Sequence, residues 1–475
     1  MRYNADNELV PAVAESYEVS EDGLTWTFHL KDDVVWSNGD PITANDFVYA
    51  WNRVLDPELA SEYSFQLTTY VVGAEEALAG TGAIEDVGYK AIDDKTLEVQ
   101  LKTPTPYFAG LSAFYTLYPV HQASVEGNAE WANDPANTPI VSNGPFTITA
   151  WDHGTHISLV KNDKYWDAEN VKLAGIDFTI LEDANTAYTK YQGNEFDVLT
   201  NPPTAVVAQS IQGEDPELKM GPKVGTYYFE MNTAKSPFSN VKVRQALSMA
   251  IDRKTIVENI TMGGQQVAEG MVPPGLLDDT GAEFRTANGN LIKEDVEEAK
   301  KLLEEGLAEE GLTVADMNNF VLSYNTDEGH KKIAQAVQEM WRQNLGFEIG
   351  LENMEFQILL DKRNAGDYDI ARAGWIGDYA DPNTMMDLFM TDNPQNDSSY
   401  NSEEYDTLMK TAASTNDAKV RMDSMKEAEK ILMNDLPIVP VYFYTAPRME
   451  KPYVSGVFNN PLSEPEYTYA NLDQQ

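Results

Sequence analysis

Nowhere along its 475 residues does this chain pass into a Gly/Ser-rich, Pro-rich or single-sign stretch of linker character. A chain of this length exceeds one ordinary core, so two or three domains are expected. With nothing to separate them in sequence, those domains must be lobes built from interleaved segments. Apolar residues, at 42%, suffice to fill such cores. No period of about 20 to 50 residues repeats, which excludes solenoids and propellers.

Periodicity places the elements. Thr25–Leu30 alternates as a half-buried strand, with Trp26, Phe28 and Leu30 on one face; Thr96–Leu101 alternates likewise after a turn at Asp93-Asp94-Lys95. Ala44–Leu55 reads as a helix carrying Phe47, Val48 and Trp51, and Tyr70–Ala79 as another, so residues 13 to about 135 form an α+β unit. Beyond the turn cluster Ser142-Asn143-Gly144-Pro145, strands are expected at Phe146–Ile148 and Ile157–Val160. Helices follow at Val241–Asp252, at Lys332–Leu345 with Gly346 as its C-cap, and at Ala418–Met433, capped by Asn416 or Asp417. Pro437 and Pro440 bracket Ile438-Val439, and Val441–Tyr444 reads as a short strand.

Charge and composition exclude whole classes of chemistry. Against 34 basic residues stand 77 acidic ones, a net charge of −43, and no Lys/Arg run offers a local basic patch. Such a field repels phosphate backbones and anionic lipid, so neither nucleic acid nor a membrane surface is a partner. The absence of cysteine removes disulfides, thiolate metal sites and cysteine nucleophiles together. No G-x-x-x-x-G-K-[ST] loop and no G-x-S-x-G elbow occurs, and Gly80-Thr81-Gly82 lacks the third glycine of a dinucleotide fingerprint. His153 and His156 form the one close histidine pair, without the glutamate of H-E-x-x-H, and read as surface histidines; His29 and His121 stand alone. Among so many acids, a carboxylate pair carries no signal. The chain is therefore read as a non-enzyme without cofactor or metal. No run of 18 apolar residues crosses a membrane, and Met1-Arg2-Tyr3-Asn4 is no signal peptide; either the protein is cytosolic or an export signal has been removed.

One stretch is unusual for a core: Ile370-Ala371-Arg372-Ala373-Gly374-Trp375-Ile376-Gly377-Asp378-Tyr379-Ala380-Asp381-Pro382. Read from its residues alone, it is either a strand ending in an Asx-type turn at Asp378–Pro382 or an extended edge whose glycines let an added strand approach.

The order of several motifs resembles family 5 of the extracellular solute-binding proteins. These motifs are Ala14-Glu15-Ser16-Tyr17, Asp22–Lys31 around Trp26-Thr27-Phe28, Trp36–Phe47, Val141-Ser142-Asn143-Gly144, Lys161–Asp167, Pro237-Phe238 with Arg244–Leu247 and Ile251-Asp252-Arg253, and the Arg372–Pro382 stretch. The details are most similar to the oligopeptide-binding branch. This resemblance implies an α/β, periplasmic-binding-protein-like fold with two ligand-binding lobes joined by a two-strand hinge, plus an inserted third lobe. The split lobe would take residues 1–12, 137–230 and 443–475, the inserted lobe 13–136 and the second ligand-binding lobe 231–442, with hinge crossings near Phe229–Asn232 and Val441–Phe443.

The function so implied is the extracytoplasmic substrate-binding component of an ABC importer: a monomer whose partners are an oligopeptide and the permease transmembrane subunits. By the same resemblance Asp378 would hold the peptide α-ammonium, and Gly374 and Ile376 would offer alternate backbone groups. Trp375 would wall a side-chain pocket or else pack in the core. Arg372 would meet the ligand or else brace the acidic loop. Scarce histidine disfavours nickel. A sensory or pheromone peptide receptor of the same fold, or a peptide- or glycoside-acting hydrolase, are the alternatives. Family members carry further sequence ahead of Arg2-Tyr3, with a signal peptide and in some a lipid-modified cysteine; the expected location of the parent is therefore the periplasm or, as a lipoprotein, the cell surface.

Overall fold

Trp26, Phe28 and Leu30 are buried, and Thr25, Thr27 and His29 between them are partly exposed, as a strand with one face on a core requires. This computed structural model describes residues 1–475 except 6, 7, 129, 134, 136–138, 461, 463, 464, 474 and 475. The expected border at residues 136 and 137 lies outside the described residues. Thr25–Leu30 joins an antiparallel sheet in the order Ala14–Val19, Thr25–Leu30, Thr96–Gln100, Tyr89–Asp93. Phe108 packs edge-on against Trp26 with ring centroids 5.5 Å apart.

The helix Ala44–Val54 begins where Thr43 and Asp46 form a capping box, and the Trp51 indole N–H donates to Leu117 O at 3.1 Å. Tyr70–Ala79 is not one helix. Gly73, at φ 75°, interrupts it, Val71 bridges to Leu101 at the sheet, and only Ala74–Leu78 is helical. A second antiparallel sheet holds Phe146–Asp152, His156–Lys161 and Gly175–Thr179, while Val198–Leu199 pairs with Met449 and Glu450. These elements belong to one unit, Met1–Pro202 with Arg448–Gln475.

The other unit is the uninterrupted stretch Pro203–Pro447. Its sheet runs in the order Ile438–Glu450, Leu218–Met231, Ile370–Ile376, Val321–Asn325, Gly350–Met354. The last three residues of Ile438–Glu450 belong to the first unit. That strand is longer than the short Val441–Tyr444 strand expected after Pro440. Pro440 is tolerated inside it and supplies its carbonyl, which accepts from Arg253 Nε at 2.7 Å. The expected hinge segments lie at the end of Leu218–Met231 and within Ile438–Glu450.

Helices Val241–Met249, Val296–Glu309 and Glu328–Leu345 contribute to the core over this sheet. Trp341 is fully buried and its indole N–H donates to Leu247 O at 2.9 Å; truncating such a tryptophan typically costs about 3 to 5 kcal/mol. Asp327 caps Glu328–Leu345 and Gly346, at φ 83°, ends it. The first of these helices stops at Met249 because Asp252 caps a further turn, its carboxylate accepting from Thr255 N at 2.8 Å. Asp417 caps Ala418–Asp435.

Candidate functional site

The Ile370–Ile376 strand pairs antiparallel with Leu218–Met231 along its whole length, from Ile370 opposite Met231 to Ile376 opposite Gly225. On its other side Val321–Asn325 pairs with Ile370 and Ala371 only. Just past the strand, Gly377 N–H donates to Val224 O at 2.8 Å, which fixes the phase of the ladder. Ala371, Ala373 and Trp375 therefore turn their backbone groups toward Leu218–Met231, and Gly374 and Ile376 turn theirs to the opposite edge. Among the described residues no strand pairs with that edge beyond Ala371.

Side-chain alternation divides the residues singled out in the sequence between the two faces of the strand. Arg372, Gly374 and Ile376 share one face with Tyr227, which stands directly opposite Gly374. Trp375 lies on the other. Its indole Nε1 is buried and has no hydrogen-bond partner among the described residues.

Arg372 Nη2 donates to Tyr444 Oη at 3.1 Å, Nη1 donates to Asn325 Oδ1 at 3.4 Å, and the guanidinium lies 5.0 Å from the Tyr227 ring centroid. Its Nε is buried and has no hydrogen-bond partner among the described residues. Arg253, Arg285, Arg363, Arg421 and Arg448 are buried or nearly so, and each is paired with a carboxylate. Arg372 is paired with none among the described residues, and the groups it contacts, Tyr444, Asn325 and the Tyr227 ring, are neutral. His330 lies beside that ring. Its ring centroid is 5.6 Å from that of Tyr227, and burial together with the Arg372 charge, partly offset by Asp327, lowers its pKa to about 4.

The strand then enters the acidic loop. Asp378 is 6% exposed and its backbone N–H donates to Thr384 Oγ1 at 2.9 Å. The Asx turn sits at Asp381, whose Oδ1 accepts from Asn383 N at 2.9 Å, three residues later than Asp378. What braces this loop is Arg421, bidentate on Asp381 at 2.8 and 2.6 Å. The alternative role for Arg372 is thereby corrected: an arginine on the helix Ala418–Asp435 does that work, and spacing of 40 residues hid it from the sequence.

Behind the strand's other face, Glu230 and Asp397 share one guanidinium, each 2.9 Å from Arg363 Nη2. Nothing in the sequence marked this group, because its members lie on three separate elements.

His153 and His156 do not converge: His153 Nε2 contacts Asn133 O at 3.0 Å and His156 pairs with Asp177 at 3.4 Å. His121, in contrast, does not stand alone. Its Nδ1 lies 2.6 Å from Ser124 Oγ and its Nε2 3.0 Å from Asp40 Oδ2. The serine is three residues along the same short helical turn, so the pair is a local contact of a helix start, and Asp40 is largely exposed. Elsewhere in the first unit, a cavity of about 220 Å³ is lined mainly by apolar side chains, among them Phe28, Leu30, Phe47, Trp51 and Leu117.

The family model for bacterial extracellular solute-binding proteins, family 5 Middle, matches residues 8–397. The chain belongs to this family. Among its relatives is the oligopeptide-binding protein OppA of Bacillus subtilis, 42% identical over 463 residues, covering 96% of this chain and 83% of that protein. The dipeptide-binding protein DppE of the same organism is 35% identical over 470 residues, covering 99% and 85%. Of solved structures, Haemophilus influenzae OppA in complex with the peptide RPPGFSPFR superposes with a TM-score of 0.86 at 32% identity, covering all of this chain and 92% of that one. The pheromone receptor PrgZ also gives 0.86, at 28% identity, covering 100% and 92%. The fold of this family 5 protein is thus the α/β binding-protein fold of its solved relatives, and among the described residues no helix is long and apolar enough to cross a membrane.

Proposed function

We propose that the protein is the extracytoplasmic substrate-binding component of an ABC importer and that its ligand is an oligopeptide. The observation that carries this reading is the unpaired edge of Arg372–Ile376, bordered by a buried acid at Asp378 and an arginine without a carboxylate at Arg372. A peptide added along that edge receives backbone hydrogen bonds from Gly374 and Ile376, which every peptide can return whatever its side chains. Asp378 holds the α-ammonium, Arg372 meets a ligand carboxylate and Trp375 walls a side-chain pocket. None of these roles requires turnover, and the protein acts as a binding protein, not an enzyme. Its division into a split lobe, an inserted lobe and a second ligand-binding lobe, with hinge crossings near Phe229–Asn232 and Val441–Phe443, belongs to the same proposal, as does docking on a permease. The likeness to PrgZ supports a second reading, a sensory peptide receptor using the same site. Transport by reconstituted permease separates the two.

Asp378→Asn tests the assignment, because it keeps shape and removes charge. Titrating one peptide, with a free and with an acetylated amino terminus, into both proteins completes a double-mutant cycle. Losing the counter-ion of a buried ammonium typically costs about 3 to 5 kcal/mol, so free-amine peptides should weaken by roughly two to three and a half decades and acetylated ones hardly at all. A coupling below about 0.5 kcal/mol in a folded variant would reduce Asp378 to a loop residue.

A further inference from the structure

Gly374 and Gly225 stand on neighbouring strands, and the side chain of Tyr444 lies across both. A Cβ built at Gly225 would be 3.0 Å from Tyr444 Cδ2, and one at Gly374 would be 2.5 Å from Tyr444 Oη. Neither glycine has a positive φ, so what each provides is space and not conformational freedom. The hydroxyl so seated accepts from Arg372 Nη2 at 3.1 Å.

We propose that Tyr444 is a positioning residue that sets the direction of Arg372, and that position 374 is glycine so that it can. The proposal rests on the peptide-binding reading above and deepens it by naming what controls recognition of the ligand carboxylate. Arginine is long and flexible, and a carboxylate partner usually fixes its guanidinium. Arg372 has no such partner among the described residues. Its direction is set by Tyr444, by Asn325 and by the ring of Tyr227, with His330 beside that ring held uncharged at neutral pH. Neutral contacts orient the cation without cancelling its charge, which stays available to an arriving anion. Any side chain at 374 displaces the hydroxyl and frees the guanidinium to turn.

The deciding variant is Tyr444→Phe, which keeps the ring and removes the hydrogen-bond acceptor. Calorimetric affinities are measured for one peptide as its free C-terminal acid and as its C-terminal amide, in variants verified as folded by circular dichroism. Tyr444→Phe should weaken the acid about tenfold, the worth of one hydrogen bond to a charged group, and leave the amide unchanged. Gly374→Ala should show the same acid-selective loss, and the double variant should be no worse than either single one. Equal losses for acid and amide would make Tyr444 a packing residue and overturn the proposal. So would a preference for the acid that Arg372→Gln abolishes while Tyr444→Phe leaves it intact, and in that case the peptide reading itself survives. If the unmodified protein binds neither form, the peptide reading fails and this inference with it.

Discussion

Glu230 shows how a single residue makes the protein sensitive to pH. It is 1% exposed, and burial is the main cause that pushes its pKa up to about 7; Arg363 opposes the shift, and Asp397 reinforces it. Tyr228 and Tyr368 crowd the same guanidinium, and burial also raises Asp397. One cation therefore serves two carboxylates, and the group keeps a proton that an exposed glutamate loses. In the unfolded chain Glu230 ionises near pH 4.5, so between about 4.5 and 7 the folded state binds more protons than the unfolded one and stability falls as pH rises, by up to ~1.4 kcal/mol per unit. Urea midpoints across that window should decline less steeply for Glu230→Gln than for the unmodified protein. Parallel slopes would mean that Glu230 is ionised throughout.

At the scale of the element, the consequence of the open edge is a periodicity of two. Only alternate amides of an added strand point toward Gly374 and Ile376. Peptides N-methylated one position at a time should therefore lose about tenfold in affinity at every second residue and little at those between. A uniform loss, or none, would remove the strand-addition model. Elements of this kind were legible in the sequence where one face alone meets a core. Trp26, Phe28 and Leu30 announced their strand, Gly346 announced the end of one helix and Asp417 the start of another, because burial period and capping are local properties. The candidate strand was legible too, and its backbone roles rested on resemblance. What could not be read was everything that depends on register: that Val321–Asn325 leaves the strand after Ala371, that Arg421 holds Asp381, and that Tyr444 reaches over Gly374. The residues concerned are 40 to 70 positions apart in the last two cases, and only pairing brings them together.

Across the whole molecule the dominant property is the net charge of −43. A field of that size accelerates encounters with cations and is screened by salt. Association of a tricationic peptide should slow by about tenfold or more between low and physiological ionic strength, while dissociation changes little. A neutral peptide of equal length should show no such dependence in stopped-flow measurements. If both respond alike, charge plays no part in capture.

The same scale bears on how the chain is made. The first unit begins at residue 1 but is completed only by Arg448–Gln475, which supply the partners of Val198–Leu199 and the Tyr469 hydroxyl that receives Arg2. Between these two portions a ribosome must translate all of Pro203–Pro447, which at bacterial and eukaryotic rates takes roughly 10 to 50 s. The second unit can close as soon as it emerges. The first, although made earlier, has to wait with Val198–Leu199 unpaired, so the unit that starts first is the last to be completed.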